Sequence, residues 1–444
     1  MNKTRVKFAS KLGLVAASAG SAVGLGNIWR FPSQTADGGG ALFIFLYIGC
    51  ILFFGIPLMM GEFIIGRSGR ASASVSFEKL APGTSWKWVG RMGVLTGIFI
   101  LGFYMVVCGW TMEYIVQSVS GQLMATDNFA DNFGVLLQNS TRQAVWMVFF
   151  TLLTAFFILR GVTRGIEQSA KILMPILFIL LIVLGIRSVT LSGSAEGLVF
   201  LFKPNMETVK STIFLDAIGQ AFFSLSIGLG GMTVYGSYFR DDSDLRKIAM
   251  QVSLLDLLVA LLAGIIIFPA AFALSQTPDT TVSSLVAGGP GLLFITIPDL
   301  FHHLPFSSLW ASLFFVLLAI AALTSTISIM ELITTFLHEE FNMLRRNAVT
   351  IVSMGVVVLG VVSCISPQFF NILDYASAKI MLPMGGLFVS LFIGWRLDKK
   401  ITFAQLTNDG TLPVSVRFLK LYIFILRYVA PVAIVGIFVY GILF

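Results

Sequence analysis

Charge is scarce in this chain. Asp, Glu, Lys and Arg make up 11% of its 444 residues, against 57% hydrophobic residues. That balance leaves too little polar surface for a water-soluble globule, and a mean hydropathy of +0.91 agrees. Cysteine and histidine occur three times each. Cys50, Cys108 and Cys364 all fall inside apolar runs and build no disulfide framework. His302 and His303 adjoin in a loop and His338 closes an apolar run, so no metal-binding spacing such as HExxH is present. With no nucleophile and base pair in view either, a membrane enzyme is a weak reading.

What the chain has is long apolar runs. A hydrocarbon core of about 30 Å needs roughly 20 apolar residues per helix. Such runs predict eleven spans, near 11–36, 41–66, 88–120, 143–159, 166–188, 212–238, 245–274, 307–336, 347–365, 375–395 and 418–443. They leave no room for a soluble domain, so the expectation is one transmembrane domain. The basic start (Lys3, Arg5, Lys7, Lys11) resembles a signal peptide, but more spans follow it rather than a mature soluble domain.

With the N-terminus in the cytoplasm, 22 of the 29 Lys and Arg fall in inside segments. Arg142, Arg187, Lys203, Lys210 and Lys379 fall outside, and Arg30 and Arg427 within spans. This is the positive-inside pattern of a plasma (inner) membrane protein. Eleven spans then put the C-terminus outside. The net charge of +7 follows from that bias, and nothing points to nucleic acid.

Two spans carry clustered glycine with small polar residues: Gly20 to Asn27 in span 1, and Ser224 to Gly231 in span 6. Close small-xxx-small packing is the common cause of such clusters. Their positions argue otherwise, because span 1 opens the first set of five (11–188) and span 6 opens the second (212–395). Broken helices at matching positions of two repeats mark the midplane site of a secondary transporter. Half-helix N-termini suit a carboxylate, and freed carbonyls suit Na⁺. Glu62 and Asp256, acids inside apolar spans, point to function as well.

These residues resemble a known family. Ser21 to Pro32 (SAVGLGNIWRFP) is similar to the first-helix signature of the neurotransmitter:sodium symporter family. The similarity continues, in order, through Gly55 to Arg67, Arg160 to Pro175, Gly219 to Arg240 and Ala322 to Met330. The resemblance implies an all-α fold of two inverted five-helix repeats with broken helices 1 and 6, plus an eleventh helix at 418–443. It implies sodium-coupled import of a small amino acid by alternating access.

The implied substrate pocket is Ser21, Ala22, Leu25, Gly26, Ile100, Tyr104, Phe223, Ser224, Ser226, Leu229, Ser325, Ser328 and Ile329, with the Tyr104 hydroxyl meeting the substrate carboxylate. One implied Na⁺ site takes the Gly20, Val23 and Ala321 carbonyls with the Thr324 and Ser325 hydroxyls. The other takes the Ala22 carbonyl, Asn27, Ser224 and Asp256. Arg30 and Asp374 correspond to the outer gate, Arg5 and Glu339 to the inner gate with Phe8 and Tyr238 beside them. Gly165 and Pro175 correspond to a motif at which span 5 unwinds.

Three departures refine the expectation. Amine-carrying members have an aspartate where this chain has Gly24, which favours an amino acid. Asp256 stands where many members have asparagine, and Ala260 where chloride-dependent members have serine, so chloride is not expected to be required. The usual twelfth helix is absent, as in shorter bacterial members. Leu25, Ile100, Leu229 and Ile329 suggest a hydrophobic or aromatic substrate without naming it. A channel or receptor without net coupling, or a proton-driven carrier using Glu62 or Asp256, are the alternatives.

Overall fold

The structure is a computed structural model that describes residues 5–126, 128–204, 212–274 and 291–443; Lys210 lies outside them. The described residues are helical and contain no strand. Among the described residues, nine helices are long and apolar enough to cross a membrane. In chain order they are span 2 (Ala41–Gly69), span 3 (Lys87–Val119), span 4 (Ser140–Leu159), span 5 (Val162–Val189), span 7 (Leu245–Ala273), span 8 (Ser307–Glu340), span 9 (Arg345–Ile365), span 10 (Pro367–Arg396) and span 11 (Val416–Gly436). The two expected broken spans complete the set. Span 1 is Lys11–Ala22 followed by Gly26–Asp37, bent by 53°. Span 6 is Ile213–Ser224 followed by Gly231–Ser237.

Burial separates the spans into a centre and a rim. Spans 3 and 8 are 78% buried over their most apolar windows, whereas spans 5 and 11 are 33% buried and show lipid-facing side chains such as Ile179, Ile186 and Val432. Spans 3 and 8 pack on each other, and span 8 also packs on the first half of span 1. The broken segments therefore sit where three or more helices can take up their freed backbone groups, the condition for irregular backbone at membrane depth.

Several boundaries differ from the sequence reading. Span 10 begins at Pro367 rather than near 375, because Ser366 caps it by accepting from Phe369 N and Pro367 stands in its first turn. Asp374 is thus inside a helix. Short helices occupy what reads as loop, among them Ala73–Leu80, Phe129–Gln138, Ser194–Phe202 and Lys399–Thr407. His302 ends one of these, Ile297–His302. Span 5 is wound except for a wide turn at Val162–Glu167, and Pro175 lies inside the following helix. The unwinding suggested by Gly165 and Pro175 is not present in this conformation.

Candidate functional site

The break in span 1 begins at Val23, whose ψ of 117° leaves the helical region. Gly24 N then donates to Asn27 Oδ1 (2.9 Å) and Leu25 N to the Tyr104 hydroxyl (3.1 Å). Those two N–H groups are the ones a continuous helix would give to the Gly20 and Ser21 carbonyls. The Ser21 carbonyl instead accepts from Ser226 Oγ (3.2 Å) and the Val23 carbonyl from Ser325 Oγ (3.0 Å). Gly20 packs against Thr324, whose Cβ lies 3.1 Å from where a side chain on Gly20 would begin. Thr324 Oγ1 donates to the Ala321 carbonyl (3.0 Å). Two of the expected Na⁺-ligand pairs, Val23 with Ser325 and Ala321 with Thr324, are thus formed at spans 1 and 8, and all five expected groups are neutral oxygens, as a hard cation requires.

The break in span 6 runs over 225–230, with Ser226, Gly228 and Gly230 at positive φ (52°, 87° and 86°). Glu62 holds it. One carboxylate oxygen accepts from Gly228 N (2.8 Å), the other from Thr233 N (3.2 Å) and Thr233 Oγ1 (3.3 Å). Glu62 is fully buried and places its carboxyl group at the start of the second half-helix, where it takes up N–H groups the helix leaves unpaired.

Asn27, Ser224 and Asp256 form one buried cluster. Asn27 Nδ2 donates to Ser224 Oγ (2.9 Å) and to Asp256 Oδ1 (2.7 Å); Ser224 Oγ donates to both Asp256 oxygens (3.0 and 2.9 Å). Tyr47 adds a bond to Oδ2 at 3.3 Å, a partner no sequence signal marked. Among the described residues no Lys or Arg pairs with Asp256 or Glu62, so both are buried without a countercharge from the chain. A cation fits beside Asp256 on that ground. The Asn27 amide oxygen accepts from Gly24 N and keeps a second lone pair with which it could also meet a cation.

Between the two breaks lies a small cavity lined by Ala22, Gly24, Gly26, Ile100, Tyr104, Phe223, Ser224, Ser226, Leu229, Ser325, Ile329 and Leu382. Ten of these are expected pocket residues; Gly24 and Leu382 are additional. Three expected residues do not line it. Ser21 contributes its carbonyl to Ser226, Leu25 turns its N–H to Tyr104, and Ser328 is held by the Tyr235 hydroxyl (2.7 Å) and the Thr324 carbonyl (3.0 Å). One polar end (Tyr104, Ser325, the span 1 break) faces an apolar wall of Ile100, Leu229 and Ile329.

On the side of the N-terminal segment the cavity is sealed in depth. Arg5 forms an ion pair with Glu339, donates to Ser237 Oγ (2.9 Å) and stacks over Tyr238 (4.7 Å). Burial pulls the Arg5 guanidinium below its ordinary value, the nearby Tyr238 and Glu331 opposing the shift. Phe8 packs edge-on against Tyr235 and Tyr238 at 5.9 and 5.8 Å. Behind them Tyr238 donates to Glu331 (2.7 Å), which pairs with Arg345 (2.5 Å). Lys7, bonded to Asp241 at 2.5 Å, holds that exposed carboxyl below its ordinary value. On the opposite side, among the described residues, Phe223 lies over the cavity with the Arg30 guanidinium 4.6 Å above its ring. Arg30 and Asp374 do not form the expected ion pair here, because the guanidinium is drawn over Phe223 instead.

The profile of the sodium:neurotransmitter symporter family matches residues 5–133 and 137–444. A sodium-dependent transporter of Bacillus subtilis (strain 168) is 34% identical over 446 residues, 98% of this chain and 97% of that one. Another, from Haemophilus influenzae (strain ATCC 51907 / DSM 11121 / KW20 / Rd), is 34% identical over 463 residues, covering 99% and 98%. The crystal structure of MhsT in complex with L-phenylalanine superposes with a TM-score of 0.88 at 40% identity, covering 98% of this chain and 99% of that one. The fold, the two broken helices and these similarities agree: the chain belongs to the sodium:neurotransmitter symporter family, and is a multi-pass, sodium-dependent transporter rather than an enzyme.

Proposed function

We propose that this protein imports an L-amino acid with a hydrophobic or aromatic side chain, coupled to two Na⁺ ions and independent of chloride. The observation that carries the substrate class is Gly24. The position where a side chain would begin faces Ser325 Oγ (2.4 Å) and the Tyr104 hydroxyl (3.1 Å), and glycine puts no acid there to hold a free amine. The site therefore lacks a fixed anion for an amine substrate. The substrate's own carboxylate takes that role, reaching the span 1 break and Tyr104 and completing the Na⁺ site of the Ala22 carbonyl, Asn27, Ser224 and Asp256. The apolar wall of Ile100, Leu229 and Ile329 takes the side chain. The likeness to a phenylalanine-bound transporter supports the same class.

The second ion sits with Gly20, Val23, Ala321, Thr324 and Ser325. The N-terminal segment is cytoplasmic and the C-terminus external, so Arg5 and Glu339 form the inner gate and Arg30 and Phe223, with Asp374 nearby, the outer one. Two ions crossing 100 mV with a tenfold gradient supply roughly 7 kcal/mol, enough to hold about five decades of a neutral zwitterion.

A binding screen tests the substrate class: phenylalanine, tryptophan, tyrosine and leucine beside phenethylamine, tryptamine, tyramine and isopentylamine, each with and without Na⁺. Only the amino acids are expected to bind, and only with Na⁺. An amine that competes as well as its parent amino acid overturns the carboxylate-centred reading.

A further inference from the structure

Span 11 carries an arginine that the transport site does not use. Arg427 lies in the turn Ile425–Val429, packed against the last turn of span 10, Phe392–Arg396; a Cβ on Gly394 would come within 2.7 Å of Arg427 Cα. This is the side of the membrane that holds the N-terminal segment. The helix Lys399–Thr407, just beyond span 10, is tied through Gln405 to Arg67 of span 2, and Arg67 also donates to the Ser243 carbonyl (2.6 Å) beside the Asp241 loop that pairs with Lys7.

The Arg427 guanidinium is clamped between two aromatic rings, 3.9 Å from the centre of Trp395 and 5.5 Å from that of Tyr428. Trp395 is held in turn by donating its indole N–H to the Arg427 carbonyl (3.1 Å). Both rings are open to the lipid side, 56% and 46% exposed. Among the described residues the guanidinium has neither a hydrogen-bond partner nor a carboxylate, and its Nε is buried and unpaired.

A cation in or near hydrocarbon without an anion is unfavourable, and arginine at such positions turns toward the interface to find one. Among the described residues the surrounding chain supplies mainly more positive charge. Arg396, Lys399, Lys400, Arg417 and Lys420 are exposed around the same end of spans 10 and 11, and none has an ion-pair partner among the described residues. Lys420 lies two helical turns before Arg427 on the same face. The nearby acid, Asp398, caps the helix Lys399–Thr407 by accepting from Lys400 N (2.9 Å).

We propose that Arg427, oriented by Trp395 and Tyr428, binds the phosphate of an anionic phospholipid headgroup in the leaflet facing the N-terminal segment, with Lys420 and Arg396 adding attraction for its net negative charge. Arginine presents a planar donor fork to phosphate oxygens, and interfacial tryptophan and tyrosine fix the depth at which it does so.

The test uses the purified full chain in detergent, titrated with short-chain phosphatidylglycerol, phosphatidylcholine or inorganic phosphate, reading bound lipid by native mass spectrometry and the thermal midpoint. Phosphatidylglycerol is expected to bind and raise the midpoint. Arg427→Leu is expected to weaken this by about tenfold or more, with Arg427→Lys intermediate. Trp395→Leu, which keeps the charge but removes the clamp, is expected to weaken it as well and carries the test if Arg427→Leu does not fold. Equal binding of phosphatidylglycerol by the parent and these variants overturns the proposal. So does equal binding of phosphatidylcholine, a matching effect of inorganic phosphate, or a change of oligomeric state in Arg427→Leu with lipid binding unchanged.

Discussion

Asp256 and Glu62 are both fully buried carboxylates, yet their surroundings divide their tasks. Glu62 is satisfied by backbone and hydroxyl donors of span 6 and acts as a fastener. Asp256 is met by an amide, a serine and a tyrosine, all neutral, and so is the carboxyl left without a countercharge where the second Na⁺ is proposed to sit. The sequence exposed both acids because a carboxylate in an apolar run is conspicuous. It concealed Tyr47, an aromatic among aromatics, and it did not separate pocket-lining Ser325 from Ser328, three residues on, whose hydroxyl is taken up by Tyr235. Tyr104 was legible only through the family motif. Its hydroxyl already accepts from Leu25 N at the break, leaving its proton for the substrate carboxylate. Tyr104→Phe is expected to weaken amino-acid binding by about 1.5 to 3 kcal/mol, the worth of a hydrogen bond to a charged group. Sodium-dependent binding of the parent ligand, measured beside the thermal midpoint, checks it; unchanged affinity in a folded variant would remove Tyr104 from the site.

The two broken spans illustrate why helices 1 and 6 could be read from sequence and the short helices could not. Glycine clusters flanked by small polar residues mark a break whatever surrounds them. Helices such as Ala73–Leu80 or Ser194–Phe202 are too short and too mixed in polarity to stand out, and they owe their existence to packing against spans 3 and 7 respectively. The span 6 break also has a tertiary requirement. Gly228 has φ 87°, and a Cβ there would meet the Leu382 carbonyl at 2.2 Å, so spans 6 and 10 touch backbone to backbone. Gly228→Ala is expected to cost about 3 kcal/mol or more from the strained backbone and the clash together, seen as a lowered midpoint and lost substrate binding. A variant with parental stability would show that this contact does not hold the break. Thr324→Val with Ser325→Ala removes two hydroxyls between spans 1 and 8 while leaving span 8 apolar. Sodium-stimulated uptake is expected to disappear with expression retained, and normal sodium dependence in the folded double variant would exclude this pair as ligands.

Among the described residues, the chain is closed in depth on the side of Arg5 and Glu339, while on the other Phe223 lies under the Arg30 guanidinium. On the proposed reading, alternating access breaks the Arg5 ion pair and the Phe8 and Tyr238 contacts, and span 5, whose Ile166, Ser169 and Ala170 lie beside Thr324, is the element proposed to open toward it. The driving ion can be tested in one assay. In proteoliposomes at fixed pH, the amino acid selected by the binding screen is supplied outside with a Na⁺ gradient directed inward, with Na⁺ replaced by choline in one arm and Cl⁻ by gluconate in another. Accumulation above the outside concentration is expected with Na⁺, none with choline, and no loss with gluconate. Uptake that persists in choline, runs on a proton gradient, or never exceeds equilibration would contradict sodium-coupled amino-acid symport.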